Sequence, residues 1–162
     1  MELPKRKHTR LKNYDYSQNG AYFVTICTHN RKPILSEIVG QAAPCLPHIK
    51  LTEIGKITEQ YIKNIENIYE YVKVDKYVIM PDHIHLLISI NTPFNGGQPS
   101  DRPTLDNIVR SVKVMVRKSI GFSVFQTSFF EHIIRNDNDY KEIFQYIENN
   151  PLKRYLEKTN TE

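Results

Sequence analysis

Hydrophobic positions along this chain repeat first with a period of two, then of three to four, and each change of period marks a new element. After an Asn19-Gly20 turn, Ala21 to Thr28 is dense in aromatic and β-branched residues and predicts a first strand. Residues 36–50 hold Gly40, Pro44 and Pro47 with no clear period and read as loop. From Thr52, its expected N-cap, a first helix follows: Ile54, Ile57, Tyr61, Ile65 and Ile68 share one face at spacings of 3, 4, 4 and 3. Tyr71–Met80 and His83–Ile90 predict a second and a third strand, joined by a Pro81-Asp82 turn into a hairpin. Residues 91–103, with three Pro and two Gly, read as a long loop.

Thr104 then caps a second helix whose stripe is Leu105, Ile108, Val109, Val112, Met115 and Val116. A fourth strand is expected over Ser128–Ile134. A third helix carries Tyr140, Ile143, Phe144 and Ile147, and is expected to stop at Asn150 because Pro151 disfavours helical geometry in the residue before it. The order β-α-β-β-α-β-α predicts an α+β fold: a ferredoxin-like antiparallel sheet with two helices on one face, plus an added C-terminal helix.

The 162 residues make one domain, expected over 14–152 between a basic arm at 1–13 and a short tail at 153–162. No run approaches a membrane span of roughly 18 apolar residues, and the start lacks the apolar core of a secretion signal. Two cysteines, Cys27 and Cys45, are too few for a disulfide framework and fit a reducing compartment. The expectation is a cytoplasmic protein that uses no membrane. Net charge is +4, unevenly spread. Lys5, Arg6, Lys7, Arg10 and Lys12 crowd the arm, while Arg110, Lys113, Arg117 and Lys118 lie on the second helix. These four are candidate phosphate contacts for a polyanion, since such a row can hold phosphates, or simply a solvated helix face. The rest of the chain is net acidic.

The chemistry concentrates in Pro81-Asp82-His83-Ile84-His85. Alternation along the strand puts Ile84, Leu86, Ile88 and Ile90 on the core face and His83, His85, Leu87 and Ser89 on the other. Two imidazoles about 7 Å apart along a strand can reach one ion or one phosphate. HxH alone is a weak pattern. On the third helix, at 100° per residue, Tyr146 falls at about 240° and Asn150 at about 280°, outside an apolar stripe centred near about 350°. A phenol and an amide oxygen thus project together, as nucleophile and neutral ligand for a divalent ion, or simply as a boundary tyrosine and a helix-end Asn.

Four blocks in this order resemble the REP-associated tyrosine transposases, within the wider group of small HUH single-tyrosine transposases. They are Tyr14-Asp15-Tyr16-Ser17 with Tyr22–Thr28; Tyr77–Leu87; Ile108–Lys113; and Phe130–Arg135 followed by Asp139-Tyr140 and Tyr146–Pro151. The resemblance spans Arg10 to about Leu152. It implies that His83 and His85 are the HUH pair and Asn150 the third ligand of Mg²⁺ or Mn²⁺. It implies that Tyr146 is the nucleophile, forming a 5′-phosphotyrosine as single-stranded or hairpin DNA is cut and rejoined. Both a monomer acting in cis and a homodimer sharing its sites fit that resemblance. Where similar proteins often carry Trp-Gln before the fourth strand and Trp after Asn-Pro, this chain has Phe125-Gln126 and Arg154-Tyr155. His132 is a candidate for a supporting role. Two other readings stand beside this one: a non-catalytic single-strand-binding module on the same fold, and a hydrolase using the His pair with a water nucleophile.

Overall fold

The computed structural model describes residues 11–40, 46–93 and 102–160. Along the chain these form β1 (Gly20–Cys27), β2 (Ser36–Val39), β3 (His48–Leu51), α1 (Glu53–Lys63), α2 (Ile65–Ile68), β4 (Val72–Ile79), β5 (His83–Ile90), α3 (Leu105–Ile120), β6 (Phe130–Ile134) and α4 (Asp137–Thr159). Most of the basic arm and most of the 91–103 loop, as well as Cys45, lie outside the described residues.

The main sheet is antiparallel throughout, in the order β4-β5-β1-β6. This is the expected ferredoxin-like α+β arrangement. Tyr22, Val24 and Ile26 of β1 and Ile84, Leu86, Ile88 and Ile90 of β5 pack beneath α1 and α3 in one continuous core. The opposite face carries a smaller cluster in which Phe23 and Leu87 meet Ile147 of α4, with Val78, Ile134, Tyr140, Ile143 and Phe144 around them. The two central strands are therefore covered on both faces, which accounts for the scarcity of exposed positions along β5.

Side-chain caps start the three long helices, the first two at the residues expected from the sequence. Thr52 accepts from Gly55 N–H at 3.1 Å, Thr104 from Asn107 N–H at 3.2 Å and Asn136 from Asp139 N–H at 2.8 Å. The stripe of α1 is rotated by one residue from expectation. Its buried positions are Gly55, Thr58 and Ile62, continued by Ile65 in α2, while Ile68 is half exposed. Gly55 explains the rotation, because a Cβ there would collide with the Leu35 carbonyl. On α3, Met115 lies at the rim of the stripe rather than in it.

Two expectations need larger correction. Residues 36–50 are not all loop, because β2 and β3 pair as a two-stranded ribbon with Ile38 opposite Ile49. Strands of four residues are too short to display a period. Nor does the third helix stop at Asn150; α4 runs on through Pro151 to Thr159. A proline within a helix costs about 3 kcal/mol through its missing N–H and ring clash. Offsetting this, the continuation docks Tyr155 so closely on Gly40 that any side chain there would overlap its ring. Residues 153–159 are thus helix packed on the domain rather than a free tail.

Candidate active site

The β4–β5 turn closes through Met80 N–H donating to the His83 carbonyl at 2.8 Å. Beyond it, His83 and His85 both emerge on the α4 face, with ring centroids 4.6 Å apart. Both rings are held at the same atom. His83 Nδ1 lies 2.7 Å from Asp82 Oδ1, and His85 Nδ1 lies 2.9 Å from Thr25 Oγ1. Register explains the second contact, since Thr25 sits directly opposite His85 and Cys27 opposite His83.

Burial makes both imidazoles poor bases. Desolvation lowers the pKa of His85 to about 3, helped by the neighbouring His83 and Arg31. Desolvation also pulls His83 below its ordinary value, against the opposing pull of Asp82. For Asp82, burial works against ionisation, but the His83 hydrogen bond and the nearby positive charges leave its carboxyl below the ordinary range. A neutral His83 therefore donates its Nδ1–H to a carboxylate and leaves Nε2 as a lone pair. His85 Nε2 is fully buried and meets no hydrogen-bonding partner among the described residues. An orphaned ring nitrogen of this kind, its other nitrogen already anchored, fits a cation.

From above, α4 brings Tyr146 and Asn150 to the same place. The Tyr146 ring stands edge-on to His85 at 5.4 Å and to Phe23 at 6.0 Å, and is 42% exposed. Asn150, one turn on, is buried. His83, His85, Tyr146 and Asn150 all line one cavity of about 270 Å³, together with Thr25, Cys27, Arg31, Lys153, Arg154 and Glu157. Among the described residues no third His, Cys, Asp or Glu joins the two histidines in a cluster able to hold a metal ion. The amide oxygen of Asn150, on the same cavity wall, could add a neutral ligand to the two imidazoles.

No protein-family model matches the chain. It is 33% identical to an uncharacterized protein of Haemophilus influenzae, over 91% of this chain and 88% of that one. It is 23% identical to the REP-associated tyrosine transposase of Escherichia coli, over 85% of this chain and 70% of that one. The chain is thus similar in sequence to the REP-associated tyrosine transposases. Its fold agrees with that of a solved REP-associated tyrosine transposase bound to a REP hairpin, at a TM-score of 0.64 and 20% identity, covering 90% of this chain and 74% of the other. The named relatives are transposases, which supports a DNA-processing role, and no helix among the described residues is long and apolar enough to cross a membrane.

Asp82, Thr25 and Arg31 complete the surroundings of the histidines, and sequence reasoning did not single them out. An Asp immediately before HxH was a readable signal. Thr25 becomes visible only once β1 is paired with β5 in register. Lys153 and Arg154 were assigned to a tail because the helix was expected to end before them. His132 lies elsewhere: its Nε2 sits 2.9 Å from Asp139 Oδ2, tying β6 to the first turn of α4 outside the cavity.

The basic row on α3 divides. Lys113 Nζ donates to the carbonyls of Gln126, Thr127 and Ser128 at 2.8, 3.1 and 3.1 Å, which holds that segment against α3 and delays β6 to Phe130. Its ammonium serves the fold. Arg110 and Arg117 are exposed and flank a separate groove of about 500 Å³ between α3 and residues 123–129, and Lys118 is exposed beyond it.

The buried imidazoles imply acid lability. A histidine whose folded pKa is depressed contributes stability that is fully present above its unfolded value of about 6.5 and lost as pH falls toward the folded value. For His85 that window runs down to about 3. In it, unfolding free energy should fall by an extra ~1.4 kcal/mol per pH unit for this one proton. Urea titrations of wild type and His85→Gln at several pH values should show the slope shallower in the variant by about one proton.

Proposed function

We infer that the protein cuts and rejoins single-stranded DNA next to a hairpin, with Tyr146 as the nucleophile and a divalent ion held by His83, His85 and Asn150. The observation that carries this reading is the convergence of a phenol, two neutral imidazoles (one with an orphaned Nε2) and an amide on one cavity. The solved relative is bound to a REP hairpin, which supports the choice of substrate.

When bound, Mg²⁺ or Mn²⁺ would supply Lewis-acid polarisation of the phosphate. The residues supply the rest. Asp82 and Thr25 orient the two rings by holding Nδ1, which turns each Nε2 lone pair toward the cavity. The Tyr146 oxygen forms a bond to phosphorus as the bond from phosphorus to the 3′ oxygen breaks. The phenol proton passes to solvent, and the leaving oxygen takes up a proton to become a 3′-OH. The 5′-phosphotyrosine conserves the phosphodiester linkage, so a second 3′-OH can attack it and reseal the strand without ATP.

The test is incubation with a pool of hairpin-bearing single-stranded oligonucleotides with randomised flanks, plus Mn²⁺. A covalent protein–DNA adduct that EDTA prevents is the expected result. Cleavage without an adduct supports a water nucleophile instead, and binding without cleavage supports a non-catalytic single-strand-binding module.

On α3, Arg110 and Arg117 are the phosphate contacts of this reading, with Lys118 beside them. Replacing both arginines by Ala should flatten the dependence of log affinity on log salt by about 0.7 per lost single-strand contact. Lys113→Met should instead lower thermal stability and leave that slope unchanged, because its ammonium is committed to three carbonyls.

A further inference from the structure

Between β1 and β2 the chain makes a tight turn at His29–Arg31, and two consecutive non-glycine residues there have left-handed backbone: Asn30 at φ 54° and Arg31 at φ 55°. Asn tolerates that region, but Arg gains nothing from it that glycine would not provide without strain. The surroundings hold the turn firmly in place. Thr28, fully buried, donates its hydroxyl to the Lys32 carbonyl at 2.9 Å and to the Asp82 carbonyl at 3.0 Å. His29 N–H donates to Val124 O at 2.8 Å, and the Gln126 side chain donates to Thr28 O at 3.1 Å. Strained backbone fixed from several sides beside a cavity is a pattern of functional sites.

The turn carries the Arg31 side chain onto the cavity wall beside His83, His85 and Tyr146. Its Nη1 donates to Cys27 Sγ at 2.9 Å, and its Nε lies 3.7 Å from Asp82 Oδ2. Asp82 therefore faces His83 with one oxygen and Arg31 with the other. The guanidinium is aimed from two sides, yet the side chain is still 54% exposed. Lys153 and Arg154, delivered by the helix beyond Pro151, line the same cavity, and Glu157 is the one carboxylate among the described residues that line it. The mouth is built for an anion.

We propose that Arg31 is a catalytic residue that holds a non-bridging oxygen of the phosphate attacked by Tyr146. This rests on the strand-cleavage reading above. Attack on a phosphodiester adds negative charge to those oxygens, and a planar, permanently charged donor already in position stabilises it without reorganising. Lys153 and Arg154 are both exposed on α4 and act as weaker attraction for the strand.

The test uses the oligonucleotide that wild type converts to adduct, made with oxygen or with sulfur at either non-bridging position of the cleaved phosphate. Arg31→Gly suits the left-handed backbone, so its melting temperature should equal or exceed wild type while adduct formation slows by about 100-fold. Wild type should be slowed by sulfur at the position Arg31 contacts, and the variant should be insensitive to it. Added guanidinium should restore part of the variant's rate. Arg31→Gly forming adduct within about threefold of wild type overturns the proposal and leaves the cleavage reading standing. A slowed variant that keeps the full sulfur effect, or that has lost Mn²⁺ affinity in proportion, also overturns it, because Arg31 would then only prop Asp82 and Cys27. Should Arg31→Gly fail to fold, Arg31→Lys answers the same question, with an intermediate rate and a weakened sulfur effect expected. No adduct with wild type removes the cleavage reading, and this proposal with it.

Discussion

Replacing Tyr146 by Phe should abolish the covalent protein–DNA adduct while leaving the fold and hairpin binding in place. One oxygen is lost, and the ring that touches Phe23 and His85 remains. The side chain is 42% exposed, so the change buries no orphaned group and stability should move by less than about 0.5 kcal/mol. Affinity for the hairpin should stay within about twofold, since a rim phenol gives little ground-state binding when the strand is held mainly by cations. Adduct formation requires the oxygen itself, and the expected loss is to the limit of detection on a denaturing gel. Strand cleavage by Tyr146→Phe at the wild-type rate would remove Tyr146 as the nucleophile and shift the weight to water activated at the histidine pair. Binding and melting temperature measured on the same preparation separate that outcome from a misfolded variant.

Much of this site was legible because two different periodicities met on it. Alternation along β5 assigned His83 and His85 to the face opposite Ile84 and Leu86, and the smaller cluster under α4 occupies that face. Helical rotation set Tyr146 and Asn150 on one flank of α4, and both line the histidine cavity. What remained hidden depended on partners distant in the chain. Thr25 acquires its role from a register 60 residues away, and Lys113 from a segment whose carbonyls no pattern announces. The turn at Asn30 and Arg31 has left-handed backbone without a glycine to signal it. Pro151 misled because a local preference, sound for an isolated helix, was overruled by the docking of Tyr155 on Gly40. That error also concealed Lys153 and Arg154, which the helix beyond Pro151 brings to the cavity wall.

The second large effect is expected one residue from the phenol. Ile147 is fully buried and joins Phe23 and Leu87 as the only α4 residue in the buried heart of the smaller cluster. Tyr140, Ile143 and Phe144 pack only partly buried around it, and the polar ties are lateral: Lys76 to Glu148 at 3.2 Å, and His132 to Asp139 at the first turn. Exposed pairs of that kind contribute at most about 1 kcal/mol. Truncating Ile147 to Ala should therefore cost about 2–5 kcal/mol, mostly at the α4 contact, while the core under α1 and α3 is untouched. Because Ile147 lies between Tyr146 and Asn150 and anchors that stretch of α4 over the histidines, adduct formation should fall far more than hairpin affinity does. Ile147→Asp should go further, since an unpaired carboxylate on that face cannot be hydrated without lifting the helix. Amide exchange would then show α4 losing protection while β1 and β5 keep theirs. Equal loss of protection in all three would mean that α4 is not a separately docked element but part of one cooperative unit with the sheet, and that the two faces of the sheet unfold together.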